Sequence, residues 1–269
     1  MKWASTIAGV VVCALAGQGL ALAQAPARTT TAPTEYIQVI TTHVEPEDMA
    51  DFEAFVKQAV AAAGTAGAPQ QIAVYQAVMG APLGTYLVVS GFNKWDEVDR
   101  WLSTGAMLSK AHGQDEGMKV LQAGRASIES SQTDVYRLRP NLSTNPQSVV
   151  PPKNFVAVTR TELVPGMAAA YEELIMRIRK AEEARPGSPT VLRRGIVLGP
   201  AAVVLASRYF DTWAEYGGFP DQPAMMREVF GEADARQMNE TIGKAVAHRD
   251  LWVLAYRADL SKPAAAPAR

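Results

Sequence analysis

Four polar residues have the side chains needed to hold an anion or to exchange protons, and they stand at alternate positions near the ends of two extended segments: Thr41, His43, Arg160 and Glu162. Side chains alternate between the faces of a strand, so these four lie opposite Val44 and Leu163. If the two apolar residues face helices, the polar ones face the inside of the sheet and need partners or a ligand. We therefore predict a ligand site that binds a carboxylate or exchanges protons. The alternative is a partly solvated ion pair between Arg160 and Glu162.

Other catalytic patterns are missing from the sequence. The chain has three histidines, His43, His112 and His248, and none has a close His, Asp or Glu partner at the spacing of a zinc site. No glycine-rich phosphate loop or strained nucleophile turn is present. We predict no metal site, and we interpret His248 as a turn histidine bonded to nearby backbone.

The charge balance narrows the choice of partner. The chain has 26 basic and 27 acidic residues, with no basic run that would indicate nucleic acid or an anionic membrane surface. The charge balance therefore favours a small-molecule or protein partner, and of these we predict a small-molecule ligand.

The second half of the sequence repeats the first. Phe92-Asn93-Lys94-Trp95 returns as Phe210-Asp211-Thr212-Trp213, an offset of 118 residues from position 92 to position 210. Composition changes mark the boundaries of the predicted parts: a linker at 24–34, a first unit at 35–143, a linker at 144–153, a second unit at 154–261 and a disordered tail at 262–269.

Within each unit the apolar pattern predicts the order strand, helix, strand, strand, helix, strand. The third strands are continuously apolar, at Tyr86–Val89 and Ala202–Leu205, so both of their faces must be covered. This order is the ferredoxin-like arrangement, in which helices cover only one face of the sheet. The predicted fold class is therefore α+β, with two tandem ferredoxin-like units packed sheet to sheet as an intramolecular α+β barrel. Such a chain is a monomer with an internal pseudo-dimer, or a homodimer.

The sequence resembles the dimeric α+β barrel proteins, which include antibiotic-biosynthesis monooxygenases, heme-degrading monooxygenases and NIPSNAP-like proteins. The resemblance lies in the strand-to-proline-to-helix openings and in the Phe-x-x-Trp ends of the third strands: Val39–Phe52, Val158–Tyr171, Phe92–Trp95 and Phe210–Trp213. It covers nearly all of both units and implies the fold more specifically than the function.

The resemblance also implies a candidate catalytic pair in the first unit. Trp101 and His112 resemble the tryptophan and histidine that flank heme in the heme-degrading members, with the histidine as the iron ligand. The second unit has Phe219 and Phe230 at the matching positions, so a heme would bind in the first unit alone. The alternative is a core tryptophan and a surface histidine near a helix end.

The first residues resemble an export signal. Lys2 precedes an apolar stretch from Ile7 to Leu22, and small residues follow at Ala21 and Ala23. We predict a signal peptide over residues 1–23, a periplasmic or secreted protein, and no membrane attachment after cleavage. Cys13, the single cysteine, lies in the predicted signal.

Two functions are compatible with these features. The first is an exported protein that binds a small apolar or aromatic molecule without a cofactor. The second is a monooxygenase-like enzyme of the same superfamily, with heme bound in the first unit. The sequence leaves open whether the protein is an enzyme.

Overall fold

A computed structural model of the protein describes residues 33–147, 153–185, 189–199 and 202–262. The predicted signal peptide, most of the first linker and the tail beyond residue 262 lie outside these ranges. We refer to residues 33–147 as the first half and to the described residues from 153 to 262 as the second half.

Both halves have a strand, a helix, two strands, a helical region and a last strand, and the helical region has three helices in the first half and two in the second. The first half contains β1 (Tyr36–His43), α1 (Met49–Thr65), β2 (Ala73–Met79), β3 (Thr85–Phe92), α2 (Trp95–Val98), α3 (Thr104–His112), α4 (Gln114–Ala126) and β4 (Ser130–Leu138). The second half contains β5 (Phe155–Leu163), α5 (Ala168–Glu183), β6 (Val191–Leu198), β7 (Val203–Phe210), α6 (Trp213–Gly217), α7 (Gln222–Ala245) and β8 (Val246–Tyr256).

The predicted fold class is wrong. The eight strands form one closed antiparallel barrel in the order β1-β3-β2-β8-β5-β7-β6-β4, instead of two ferredoxin-like sheets packed face to face. Two backbone pairings between the halves close it, because β2 pairs with β8 and β4 pairs with β6. Unpaired strand edges expose backbone donors and acceptors, and closure removes these edges.

The barrel interior is a continuous apolar core. Every strand contributes at least one packed apolar side chain to it: Val39, Ala77, Leu87, Tyr136, Val158, Ile196, Leu205 and Leu254. In the third strand of each half, the alternate residues pack outward against helices. Tyr86 contacts the α1 core of the first half, and Val204 contacts the α5 core of the second. Both faces of these strands are thus covered, as their continuous apolar sequence predicts.

Each half also sends a short segment into the core of the other, and we call residues 139–144 and 257–262 the exchanged segments. Leu142, which follows β4, is fully buried in the second-half core beside Tyr171 and Ile178. Leu260, which follows β8, is fully buried in the first-half core beside Val44 and Phe52. The two halves are therefore joined by side-chain packing as well as by strand pairing.

Serine hydroxyls fix the exchanged segments to the strands they meet. Ser143 Oγ accepts a hydrogen bond from Arg193 N at 2.8 Å, and Ser261 Oγ accepts one from Val74 N at 2.9 Å. Each serine stands directly after one of the two buried leucines, so each hydroxyl holds its leucine in place. None of the helices in the described ranges combines the length and apolar character that crossing a membrane requires.

Candidate functional site

A cavity of about 390 Å³ opens at one end of the barrel, and we call it the barrel cavity. It lies where β1 and β5 end and where β4 and β8 begin. Its apolar lining consists of Val39, Leu87, Val158, Leu205 and Trp252. Its polar lining consists of Thr41, His43, Ser130, Ser131, Gln132, Asp134, Tyr136, Arg160 and Asp250.

Three of the four polar residues predicted from strand alternation line this cavity. Thr41, His43 and Arg160 are among its lining residues, and Glu162 approaches the guanidinium of Arg160. They meet because β1 and β5 end at the same rim of the barrel. That these residues bind a ligand stays a prediction.

Arg160 lies between two carboxylates without a close contact to either. Its Nη1 is 3.6 Å from Glu162 Oε2 and 3.9 Å from Asp250 Oδ2. These separations allow electrostatic attraction but exceed a normal N–H···O hydrogen bond. The alternative reading of the sequence, an ion pair with Glu162, is therefore also present in the structure. The guanidinium does not form a direct hydrogen bond to either acid. A bound ligand could therefore accept hydrogen bonds from its N–H groups.

Asp134 is a buried acid in the cavity wall that our sequence reasoning did not identify. Its carboxylate accepts hydrogen bonds of 3.0 Å from the Tyr136 hydroxyl and from Gln132 Nε2. Burial, together with the negative charge of Asp134, raises the pKa of the Tyr136 hydroxyl above its ordinary range. Tyr136 therefore stays protonated and donates to the acid.

The sequence feature that could have identified Asp134 lies at the start of β4. The apolar sequence from Val135 to Leu138 predicts a strand that begins at Val135, whereas β4 begins at Ser130. The added residues Gln132 and Asp134 alternate in phase with Tyr136, which faces the barrel core. A strand start placed earlier would have brought them to the inner face. β8 is likewise longer than predicted, so His248 lies in a strand and not in a turn.

His43 has a fixed hydrogen-bonding role. Its Nδ1 lies 3.0 Å from Thr85 Oγ1, and that hydroxyl donates its own proton to the Pro82 carbonyl at 2.8 Å. The hydroxyl oxygen is therefore the acceptor for an N–H on Nδ1. In the neutral imidazole, this leaves Nε2 as the unprotonated nitrogen, which can accept a proton or a hydrogen bond.

The structure does not bring Trp101 and His112 to the barrel cavity. Trp101 packs edge-on against Phe92, with ring centroids 5.5 Å apart, and Phe92 is 1% exposed. His112 is the exposed last residue of α3, which ends at Gly113 with a φ of 87°. Trp101 precedes α3 and His112 is its last residue, so the length of the helix, roughly 13 Å, lies between them.

This placement bears on whether the two residues fit a heme. An axial histidine works within a pocket that controls polarity and access around the iron, whereas His112 points from a helix end with an exposed side chain. The exposed His112 therefore does not by itself supply the enclosed axial position that a heme pocket requires. The role of the pair stays a prediction.

A second cavity, of about 620 Å³, lies between the sheet and the helices of the second half, and we call it the helix–sheet cavity. Its lining includes Tyr171, Ile178, Arg193, Arg208 and Phe219, and no histidine of the described chain lines it. Its walls come from seven elements, β5, α5, β6, β7, α6, α7 and β8, so alternation along a single strand does not identify its lining residues.

A buried charge network forms one side of the helix–sheet cavity. Glu182 accepts hydrogen bonds from Arg193 Nη2 at 2.8 Å and from Arg208 Nη2 at 3.0 Å, and it also contacts the Thr144 hydroxyl. Burial by itself raises the pKa of the Glu182 carboxyl, but the adjacent Arg193, helped by Thr144 and Arg208, outweighs it. The pKa of Glu182 consequently lies below its ordinary value, and the carboxylate is ionised.

Comparisons with known proteins support the fold. No family model and no curated protein matches the sequence. Among solved structures, an anthrone oxidase-like protein matches with a TM-score of 0.53 and 11% identity, over 87% of this chain and 97% of that one. A candidate monooxygenase from Fusobacterium nucleatum matches with a TM-score of 0.49 and 13% identity, over 87% and 99% of the two chains.

A heme-binding protein from Thermus thermophilus is a more distant match, with a TM-score of 0.43 and 12% identity over 86% of this chain and 95% of that one. At these identities the likeness concerns the fold, and it carries no activity or cofactor over to this chain.

Proposed function

We propose that this protein binds one small molecule in the barrel cavity. The observation that carries the proposal is the convergence of Asp134, His43 and Arg160, from three different strands, on a cavity of about 390 Å³ that also has five apolar lining residues. Ligand pockets are typically clefts of about 300–1,000 Å³, mostly apolar, with a few converging polar groups. The volume of the barrel cavity lies near the lower limit of this range, and its lining is more polar than that of a typical ligand pocket.

The lining defines the chemistry of the proposed ligand. Trp252, Leu87 and Leu205 offer flat and branched apolar surface to an aromatic or aliphatic body. Asp134 accepts hydrogen bonds, and Arg160 donates them. A compact aromatic molecule with both a hydroxyl donor and a carbonyl or carboxylate acceptor fits these groups. Export to the periplasm or beyond is part of the proposal and rests on the first residues of the sequence.

Isothermal titration with 4-hydroxybenzaldehyde as the probe tests this proposal. We expect Asp134→Asn and Arg160→Met each to weaken binding by about 10-fold or more, because a hydrogen bond to a charged group contributes about 1.5–3 kcal/mol. Arg208→Met, in the lining of the helix–sheet cavity, serves as the matched control and should leave the affinity unchanged. Wild-type affinity in both barrel variants, or an equal loss in the control, would contradict the proposal.

The alternative function is a monooxygenase-like enzyme that carries heme at Trp101 and His112, in keeping with the superfamily that the sequence resembles. Visible absorption during hemin titration separates it from our proposal. We expect no Soret shift that depends on His112. A shift that His112→Ala removes and His248→Ala preserves would favour the alternative, since His248 is another exposed histidine. Both variants should otherwise retain the fold.

A further inference from the structure

Two adjacent arginines of β6 are both buried, and they point to opposite faces of the barrel. Arg193 reaches outward to Glu182 on α5. Since neighbouring side chains alternate along a strand, Arg194 points inward, in phase with Ile196 of the barrel core. Arg194 is 4% exposed. A cationic side chain is thus enclosed inside the barrel.

Within the described residues, Arg194 has no counter-charge. No carboxylate forms an ion pair with it, and its Nε is buried without a hydrogen-bond partner. Burying a cation without a partner is costly, so buried charges in proteins are normally paired. Arginine cannot escape this cost by losing its proton, because its pKa is too high. The barrel interior therefore holds a positive charge that a bound anion would neutralise.

Two phenols interact with Arg194. Tyr209 forms a hydrogen bond with its side chain, and both Tyr75 and Tyr209 interact with it electrostatically. Burial is the main reason that the pKa of Tyr75 lies above its ordinary range, and the neighbouring Tyr209 adds to it. Tyr75 therefore stays neutral and cannot neutralise the guanidinium. It can still donate a hydrogen bond to an anion held beside Arg194.

We propose that Arg194, with the hydroxyls of Tyr75 and Tyr209, binds the carboxylate of a small aromatic acid inside the barrel. A guanidinium matches a carboxylate through two parallel hydrogen bonds. The body of such a ligand would lie against the partly buried apolar side chains Ile37 and Val89. An eight-stranded barrel has room for side chains or for one small ligand.

This site is separate from the barrel cavity. Arg160 and Arg194 lie on β5 and β6, and both are paired with Leu205 on β7 between them. That arrangement separates their backbones by about 10 Å. Arg160 faces Glu162 and Asp250 at one end, whereas Arg194 turns toward Tyr75, near the start of β2, and Tyr209, near the end of β7. The inference therefore does not depend on the proposed function.

Isothermal titration of the full chain with benzoate, and with neutral benzamide, tests the site. The Arg160→Met variant lacks the inward arginine of the barrel cavity. Benzoate binding to this variant therefore reports on Arg194. We expect that variant to bind one benzoate at least about 10-fold more tightly than benzamide, because only the anion pairs with the guanidinium. Adding Arg194→Met to it should abolish the preference. Equal affinity for the two probes, or a preference that survives the second substitution, would overturn the proposal.

Thermal unfolding supplies an independent measurement on the same variants. Without ligand, Arg194→Met should unfold at or above the wild-type temperature, since replacing an uncompensated buried charge by an apolar chain removes its desolvation cost. Benzoate should raise the unfolding temperature of Arg160→Met, and an equal concentration of chloride should not. If chloride stabilises as much as benzoate, Arg194 selects any small anion and the assignment of a carboxylate ligand is wrong.

Discussion

Replacing Glu182 by alanine is expected to lower the free energy of unfolding by about 3–5 kcal/mol, the usual cost of removing one partner from a buried ion pair. Glu182 is 2% exposed and holds the equally buried Arg193. Without the carboxylate, Arg193 remains enclosed as an unpaired cation. Urea unfolding followed by circular dichroism measures the change.

The adjacent residue provides the control. Glu183 pairs with Arg179 on the surface of the same helix, and each side chain of that pair is 31% exposed. Glu183→Ala should therefore cost at most about 1 kcal/mol. Similar losses for the two variants would show that the Glu182 network does not act as a buried charge pair. Glu182→Leu combined with Arg193→Met should recover much of the stability, because both charges are then absent.

The pH dependence of this effect has a definite sign. The pKa of Glu182 is lowered in the folded protein, so its contribution is fully present above the ordinary glutamate pKa of about 4.3. The contribution is lost as the pH falls through the folded-state pKa. The difference between wild type and Glu182→Gln should accordingly shrink as the solution is acidified below that ordinary value.

Leu260→Ala is expected to lower the free energy of unfolding by about 2–5 kcal/mol, as for other large-to-small core substitutions. Leu260 is 0% exposed and packs beside Phe52 and Tyr86 in the first-half core, although it follows the last strand of the second half. Truncation of Leu260 leaves a cavity, and the residues that line this cavity are distant from Leu260 in the sequence. Urea unfolding with tryptophan fluorescence detects the loss.

Leu83→Ala is the matched control, because Leu83 is 66% exposed. Its effect should stay within about 0.5 kcal/mol. A similarly small loss for Leu260→Ala would mean that the exchanged segment contributes little to the stability of the first half.

Residue alternation predicted part of the site from the sequence. It placed Thr41, His43, Arg160 and Glu162 on one inner face, and the structure has the first three around one cavity, whereas Glu162 approaches Arg160 without lining that cavity. It missed Asp134 because the polar start of β4 resembles a loop. It also missed Arg194, although two arginines side by side in an apolar strand must face opposite ways, and burial of both indicates a partner on each side.

The closure of the barrel could not be predicted in the same way. Side-chain periodicity shows which face of a strand is buried, but strand pairing uses backbone groups that nearly all residues share. The apolar inner faces are equally compatible with two sheets packed face to face and with one closed sheet. The pairing of β2 with β8, and of β4 with β6, therefore had to come from the structure.

The exchange of segments between the halves has a consequence for how the protein is made. Leu260 emerges from the ribosome about 120 residues after Leu142. Domains generally begin to fold from the N-terminus during synthesis. The first-half core, however, lacks Leu260 until the last strand has emerged, and its edge strand β2 lacks β8. Each nascent chain therefore passes through a period in which an open sheet is exposed to chaperones and to other chains. Completion of the barrel waits until β8 and Leu260 have emerged.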